Sequence, residues 1–456
     1  MTVGSPMKLL IVFALPMLVG NIFQQVYNLA DSIIVGNLSG PDALGAIGAT
    51  SSVTFLFFAI CNGISSGGGV VTSQFFGMGD AKKVRKSIVN TAYVMLVMPA
   101  FVGGIAFALA ELMLKMLATP PELMDDALSY TRLMCVGIIF VSLYNFSSSM
   151  LRALGDSKTP LYFLIFSCFL NVGLDLLFVA KFGWGVMGAG VATVISQFVS
   201  AVICIIYAIH TNPYFKINKD EFKIDFTLIK QIVRLGVPLS LQFSLIAISS
   251  MALQRVVNGF GPIAVDAFTT TNRVEQMIHL PYQTLSGALA TFCGQNWGAG
   301  IKKRVVEGYH KALLLMVVMT AFMVPLVRIF GRVIVSIFIN KTAENSDAVI
   351  ELGSSGLQLT SLFYLFLGVI YVVRGVLNGL GDAKFALLNG VVEIIGRFTV
   401  PILLTRTLGM DELGIWWSSG IVWFLSGLTA WIRYIQYKRK IRLTDSEEIK
   451  TASDIE

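Results

Sequence analysis

Twelve long apolar stretches run through this chain, at approximately 9–36, 46–70, 88–110, 129–151, 160–180, 186–209, 231–257, 267–290, 311–330, 352–377, 385–404 and 413–436. A helix needs roughly 20 apolar residues to cross a bilayer. Inside hydrocarbon every backbone polar group must be bonded within the protein, which leaves only helices and closed barrels. Ten-residue alternating strands are absent, so a barrel is excluded. The short links between stretches make neighbouring helices antiparallel. Composition agrees. Charged residues are 13% of the chain and the mean hydropathy is +0.74, against about 25% charged in a soluble domain. Lys8 to Val35 is too long for the core of a secretion signal and reads as the first span. The five cysteines all lie in apolar stretches without metal-type spacing, and read as small core residues.

Lys and Arg set the orientation. With the N-terminus in the cytoplasm, one set of links carries Lys82, Lys83, Arg85, Lys86, Arg152, Lys158, Lys216, Lys219, Lys223, Lys230, Lys302, Lys303, Arg304, Arg374, Lys384, Lys438, Arg439, Lys440 and Arg442. The opposite set carries only Lys115, Lys181, Arg332, Lys341 and Arg406. Positive loops stay inside, so both termini are expected in the cytoplasm of a multi-pass cell-membrane protein. In this setting the net charge of +7 marks topology, not nucleic-acid binding.

The chain repeats itself. Pro16 recurs as Pro238, and Gly40-Pro41 as Gly261-Pro262. Gln74, Gly77, Gly79 and Lys82 recur as Gln295, Gly298, Gly300 and Lys303. Pro99 recurs as Pro325, and Leu154-Gly155-Asp156-x-Lys158 as Leu380-Gly381-Asp382-x-Lys384. The offset is 221 to 226 residues throughout. Six spans separate each pair, so the two halves keep the same orientation and are related by an axis along the membrane normal. The expectation is an all-α membrane protein of twelve transmembrane helices in two pseudo-symmetric six-helix bundles. The bundles are 1–209 and 231–437, with a cytoplasmic linker at 210–230 and an acidic, disordered cytoplasmic tail within 438–456. Two such lobes would leave a central cleft suited to alternating access.

These motifs resemble the multidrug and toxic compound extrusion (MATE) family. The two Leu-Gly-Asp-x-Lys turns, the two Gln-x-x-Gly-x-Gly segments at 74–79 and 295–300, and Tyr27-Asn28-Leu29-Ala30-Asp31 carry the resemblance, which covers nearly all of residues 8–437. The bacterial branches are most similar, and Asp31 with Asn171 and Asp175 resembles the DinF-like pattern. The resemblance implies a V-shaped pair of lobes and drug efflux driven by a cation gradient.

Ionisable groups inside a membrane are costly and are functional candidates by default. At 1.5 Å per residue, Asp31 in the first span, Asp175 in the fifth and Thr193 in the sixth all lie roughly 9–12 Å below the outer surface. Asn171 is one turn deeper than Asp175 on the same face, and Tyr27 stands in the same relation to Asp31. Two carboxylates in one low-dielectric layer cannot both stay ionised cheaply: one takes a proton, or a cation enters. That event could bend the first helix, where Pro16 already weakens the hydrogen-bond ladder. The other reading is a hydrogen-bond network that ties three helices together. The resemblance points to the same residues, because family members use matching Asp, Asn, Asp and Thr positions as a cation network. Both H⁺ and Na⁺ remain open as coupling ion, with Na⁺ placed at Asp31 and Asp175. No resident cofactor or other metal is expected.

The second half lacks this set: Asp31, Asn171 and Asp175 face Ala252, Arg397 and Pro401. It carries instead Glu275, Glu393, Arg273 and Arg397. Glu393 and Arg397 are spaced for an intrahelical ion pair. Glu275 could line the cleft and meet a cationic substrate, or pair with Arg397. All three are candidate substrate or gating residues. The deep charges are acidic in balance, which attracts organic cations, and the abundant Phe, Met, Tyr and Trp can accept varied apolar shapes. The expected function is export of small lipophilic cations in exchange for H⁺ or Na⁺ by a monomer. Its partners are substrate and lipid, not nucleic acid. A flippase for lipid-linked oligosaccharides is the alternative; it calls for a basic cleft. No phosphate loop, His-x-x-x-His pair or Ser/His/Asp set marks an enzyme.

Overall fold

The computed structural model describes residues 1–116, 119–339 and 345–453. Its helices are α1 (Pro6–Gly77), α2 (Ala81–Met116), α3 (Pro121–Ala153), α4 (Lys158–Asp175), α5 (Gly185–Thr211), α6 (Phe226–Val257), α7 (Pro262–Gly298), α8 (Lys302–Ser336), α9 (Ser346–Ser361), α10 (Tyr364–Leu380), α11 (Ala383–Ile402) and α12 (Leu413–Ser453). Among the described residues there is no strand. Lys341, counted above in an outer link, lies outside them.

Among the described residues ten segments are long and apolar enough to cross a membrane, and α9 with α10, bent by 54°, would be an eleventh. Two of the ten, Pro6–Leu38 and Thr54–Gly77, lie within α1. Val35 and Ala46 pack together near the start of α3, on Ala127 and Tyr130. Phe57, Cys61, Ile64 and Val71 share a cluster with Ile138, Phe146 and Met150 farther along α3. The second span thus returns along α3. The expected stretch at 267–290 lies in α7, which is long enough at 37 residues but is diluted by Asp266, Arg273, Glu275 and His279. Apolar side chains such as Val97, Phe101, Val318 and Phe322 are largely exposed, as a lipid-facing surface requires.

The repeat is visible in the backbone. The Leu-Gly-Asp turns close α3 and α10 identically. Gly155 and Gly381 take positive φ of 93° and 82°, and the N–H of the next Asp returns to the carbonyls of Leu151 and Leu377 at 2.9 Å. That is a glycine C-cap. The same Asp then caps the next helix. Asp156 Oδ1 accepts from the N–H groups of Lys158 and Thr159, and Asp382 Oδ1 from Phe385 N–H. Both α4 and α11 pass into π-helix, at Leu176–Lys181 and Leu403–Thr407.

The chain divides into two compact units, Ile11–Ser244 and Met1–Leu10 with Leu245–Glu456. The segment expected to link the halves folds onto the first unit. Arg85 Nε donates to both Glu221 oxygens at 2.8 and 2.7 Å, Tyr93 Oη to the Phe222 carbonyl, and Asp225 N–H to Asn90 Oδ1. Ser240 Oγ of α6 donates to the Ile60 carbonyl at 3.1 Å, so α6 also begins in that unit. In the second unit Trp416 is 1% exposed among Leu253, Phe268 and Ile415, its Nε1 donating to Thr271 Oγ1 at 3.1 Å. The five cysteines are buried and free. The tail departs from the expectation of disorder: α12 continues to Ser453. Residues 438–453 contain no Gly or Pro, and are rich in good helix formers.

The linker clasp is pH-dependent. Hydrogen bonds from Arg85, then from Asn218 N–H, outweigh burial and hold Glu221 down at about 2, from an ordinary 4.5. A depressed carboxyl stabilises the fold above its unfolded pKa and loses that contribution as pH falls through the folded one. Thermal unfolding of the parent should therefore exceed that of Glu221→Gln at pH 6. The gap should close as pH drops from about 4.5 towards 2. A gap that stays constant over that range would refute the clasp.

Candidate functional site

Asp31 of α1, Asn171 and Asp175 of α4, and Thr193 and Tyr27 of α5 and α1 meet inside the first unit. The amphipathic logic that buries them is simple. On α4, Ser167, Cys168, Asn171 and Asp175 are buried and recur at three- and four-residue spacing, so the polar groups share the inward face. Asn171 and Asp175 are both 0% exposed. The Asp31 and Asp175 carboxyls lie close enough to act on each other. Each keeps its Oδ1 buried without a partner.

Asn171 satisfies its neighbours in one amide orientation. Its nitrogen then donates to Asp175 Oδ2 at 2.9 Å, and its oxygen accepts from Thr193 N–H at 3.2 Å. Tyr27 Oη and Thr193 Oγ1 are 3.4 Å apart. All five predicted residues are brought together. Tyr130 of α3, 7% exposed, also stands within electrostatic reach of both carboxyls. The sequence reading passed it over, because a single Tyr in an apolar stretch looks like core. Its spacing carries no signal; only the packing of α3 on α1 reveals it. Thr193 also lines a small pocket with Thr54, Phe57, Phe58, Met134, Ile138 and Val141.

Two neighbouring buried carboxyls disfavour double ionisation, which a proton or a small cation on one of them relieves. Among the described residues no group of three or more His, Cys, Asp or Glu could hold a metal.

The second unit holds a different cluster. Glu393, 4% exposed, does not pair with Arg397. Its Oε1 takes Arg374 Nη2 and Ser426 Oγ instead. Arg374 Nε also donates to Asn389 Oδ1 at 2.6 Å, and Asn389 Nδ2 to Ser426 Oγ at 2.8 Å. Arg374 is not a loop charge but a buried one, 8% exposed. The i, i+4 pair yields to a partner on α10, because Arg374 neutralises Glu393 while Asn389 holds the guanidinium, which satisfies more buried groups. Glu275 is buried, whereas Arg273 is exposed, so the two do face apart. Glu275 does not form an ion pair with Arg397. Arg397 Nη1 donates to Ser250 Oγ at 3.1 Å.

A bundle of apolar helices with neighbouring carboxyls at spanning depth defines a multi-pass membrane transporter. The MatE family profile matches residues 16–177 and 238–398, one match in each repeated half. "Probable multidrug resistance protein YpnP" of Bacillus subtilis is 31% identical over 436 residues, covering 95% of this chain and 96% of its own. "Multidrug export protein MepA" of Staphylococcus aureus is 23% identical over 97% of this chain and 96% of its own. Among solved structures, a MOP superfamily transporter from Pyrococcus furiosus Vc1, described as having a binding pocket of reverse polarity, aligns with a TM-score of 0.86. It is 22% identical over 94% of this chain and 95% of its own. An outward-facing multidrug resistance MATE transporter aligns at 0.90, with 20% identity over 96% of this chain and 97% of its own. The chain belongs to the MatE family.

Proposed function

We propose that this protein is a multidrug efflux antiporter of the cell membrane, with both termini in the cytoplasm. It exports small lipophilic organic cations in exchange for a cation bound at Asp31 and Asp175. The observation that carries this reading is the closeness of two carboxyls within membrane-spanning helices, with the Oδ1 of each buried and left unpartnered. The names of the relatives, multidrug resistance and export proteins, support the substrate class.

We assign H⁺ as the exchanged cation: a shared proton suffices to hold two carboxyls together, whereas a sodium ion needs several oxygen ligands. Tyr27, Thr193 and Tyr130 are positioned to follow the charge on those carboxyls. Exchange then proceeds as linkage: the protonated layer and the emptied layer favour different packings of α1 against α4 and α5, and substrate affinity differs between them. Drug and proton need not touch, because Thr193 belongs both to the network and to the pocket wall.

The test is ethidium export from proteoliposomes containing the full chain. An imposed proton gradient should drive it, and a sodium gradient at fixed pH should not. Export driven by sodium alone would transfer the role to Na⁺, and no export under either gradient would overturn the antiport reading.

A further inference from the structure

The second unit buries an ion pair that the coupling layer does not use. Arg374 of α10, Asn389 and Glu393 of α11, and Ser426 of α12 are 8%, 0%, 4% and 0% exposed. Asn389 and Glu393 are four residues apart and share one face of α11. All four lie in apolar spans: Asn389 and Glu393 in Leu387–Thr407, Ser426 in Leu413–Arg439, and Arg374 in the bent pair of α9 and α10. Their hydrogen bonds close a ring. Arg374 Nη2 donates to Glu393 Oε1, and its Nε to Asn389 Oδ1 at 2.6 Å. Asn389 Nδ2 donates to Ser426 Oγ at 2.8 Å, and Ser426 Oγ to Glu393 Oε1 at 3.4 Å. The guanidinium also stands 5.9 Å from the centre of the Tyr371 ring. None of the four residues leaves a buried polar atom without a partner.

At the repeat offset of 226 residues, Arg374 and Glu393 face Ser148 and Ser167 of the first half, buried at 3% and 2%. Small neutral residues therefore suffice for packing at these positions, and a buried ion pair costs more desolvation than they do. The charges have another use. Asp31 and Asp175 show which. Each keeps its Oδ1 buried and unpartnered, and among the described residues no basic group forms an ion pair with either. Their counter-ion has to come from solution. Glu393 has one on the chain. A carboxylate, an amide oxygen and a hydroxyl on two adjacent helices are all acceptors that a cation can use. We propose that Arg374 is a chain-borne counter-ion: it fills a cation seat at Glu393, Asn389 and Ser426, keeps solution cations out of it, and so confines cation exchange to the first unit. Arginine suits the task, because its charge is not lost by deprotonation and its planar fork bonds amide and carboxylate at once. The confinement rests on the antiport reading; the seat does not.

The seat is tested without a gradient, so its failure is separable from failure of the antiport reading. Arg374→Ala vacates it. The purified full chain is melted in detergent with guanidinium chloride or sodium chloride at about 10 mM, where guanidinium should raise the melting temperature of Arg374→Ala by about 2 °C or more and sodium by less. The parent and Arg374→Ala/Glu393→Gln should not respond. No guanidinium response in Arg374→Ala, or an equal one in the double variant, would overturn the seat. The confinement is tested in proteoliposomes, as the pH gradient that just balances an imposed ethidium gradient. Arg374→Gln frees Glu393 for a solution proton, so the ratio of protons to ethidium should rise above the parent's. Arg374→Gln/Glu393→Gln should restore the parent's ratio. An unmoved ratio in Arg374→Gln would leave the pair a structural tie only. If the single variants do not fold, the double variant decides alone: an altered ratio, a lost response to the gradient or failure to fold would overturn the proposal.

Discussion

Asp31→Asn is expected to stop gradient-driven ethidium export, lowering its rate by more than about tenfold, while ethidium binding in detergent stays within a few-fold of the parent. Asparagine keeps the size but cannot release a proton, so the layer holds one state whatever the gradient. A transporter whose coupling group cannot change charge has no means of converting a proton gradient into a conformational preference. Asp175→Asn should act in the same direction, but for a second reason as well. It places an amide against the Asn171 nitrogen, which donates to Asp175 Oδ2 at 2.9 Å, so donor meets donor unless one amide rotates. Asp31→Glu should retain partial transport. Undiminished export by Asp31→Asn under either gradient would remove the coupling assignment altogether. A parallel loss of export and of ethidium binding would show a binding residue instead of a coupling one.

How much of this was readable in advance depended on whether the signal was local. The spans were legible because a helix in lipid must be apolar around most of its circumference, which leaves runs that no other fold needs. Asp31, Asn171, Asp175 and Thr193 were legible because each breaks such a run at a definite depth, and Tyr27 because it stands one turn from Asp31. Tyr130 was not, since an aromatic hydroxyl inside an apolar run looks the same whether it faces a carboxylate or a neighbouring helix. The second unit shows the limit more sharply. Glu393 and Arg397 have ideal intrahelical spacing, yet Glu393 bonds Arg374 across to α10. Spacing along one helix is visible in a sequence, and approach of a second helix is not. Arg374 was counted with Lys384 in a cytoplasmic link although it falls inside the stretch 352–377; α10 continues to Leu380 and buries it. The Leu-Gly-Asp motifs, read as marks of a family, prove to be a helix stop fused to a helix start.

The approach of α10 to α7 leads to the second large effect, on folding itself. Gly375 and Gly379 are four residues apart, so both lie on one face of α10. A Cβ on Gly375 would stand 2.6 Å from the Ser286 carbonyl oxygen, and one on Gly379 would stand 2.4 Å from that of Ala290. Both obstacles are backbone, so no rotamer change relieves them. In lipid there is no hydrophobic force to pull helices together, and close packing at small residues supplies much of the attraction. The first unit uses the same device: Gly63 and Gly67 of α1 would meet Ser240 N at 2.2 Å and Gly236 N at 2.5 Å of α6. Gly375→Leu should therefore drive α7 and α10 apart and abolish accumulation of folded protein. Gly375→Ala should cost about 1–3 kcal/mol, as overpacking of a tight interface does. Gly104→Ala on α2 is the control, because nothing lies within 4 Å of its added Cβ. It should be neutral or stabilising by up to about 1 kcal/mol through helix propensity. Membrane yield and melting temperature in detergent, measured side by side, give the comparison. Equal behaviour of Gly375→Ala and Gly104→Ala would show that α10 and α7 can separate at no cost. In that case Arg374, the neighbour of Gly375, would not be held against Glu393 by backbone packing, and its buried pair would have to position itself.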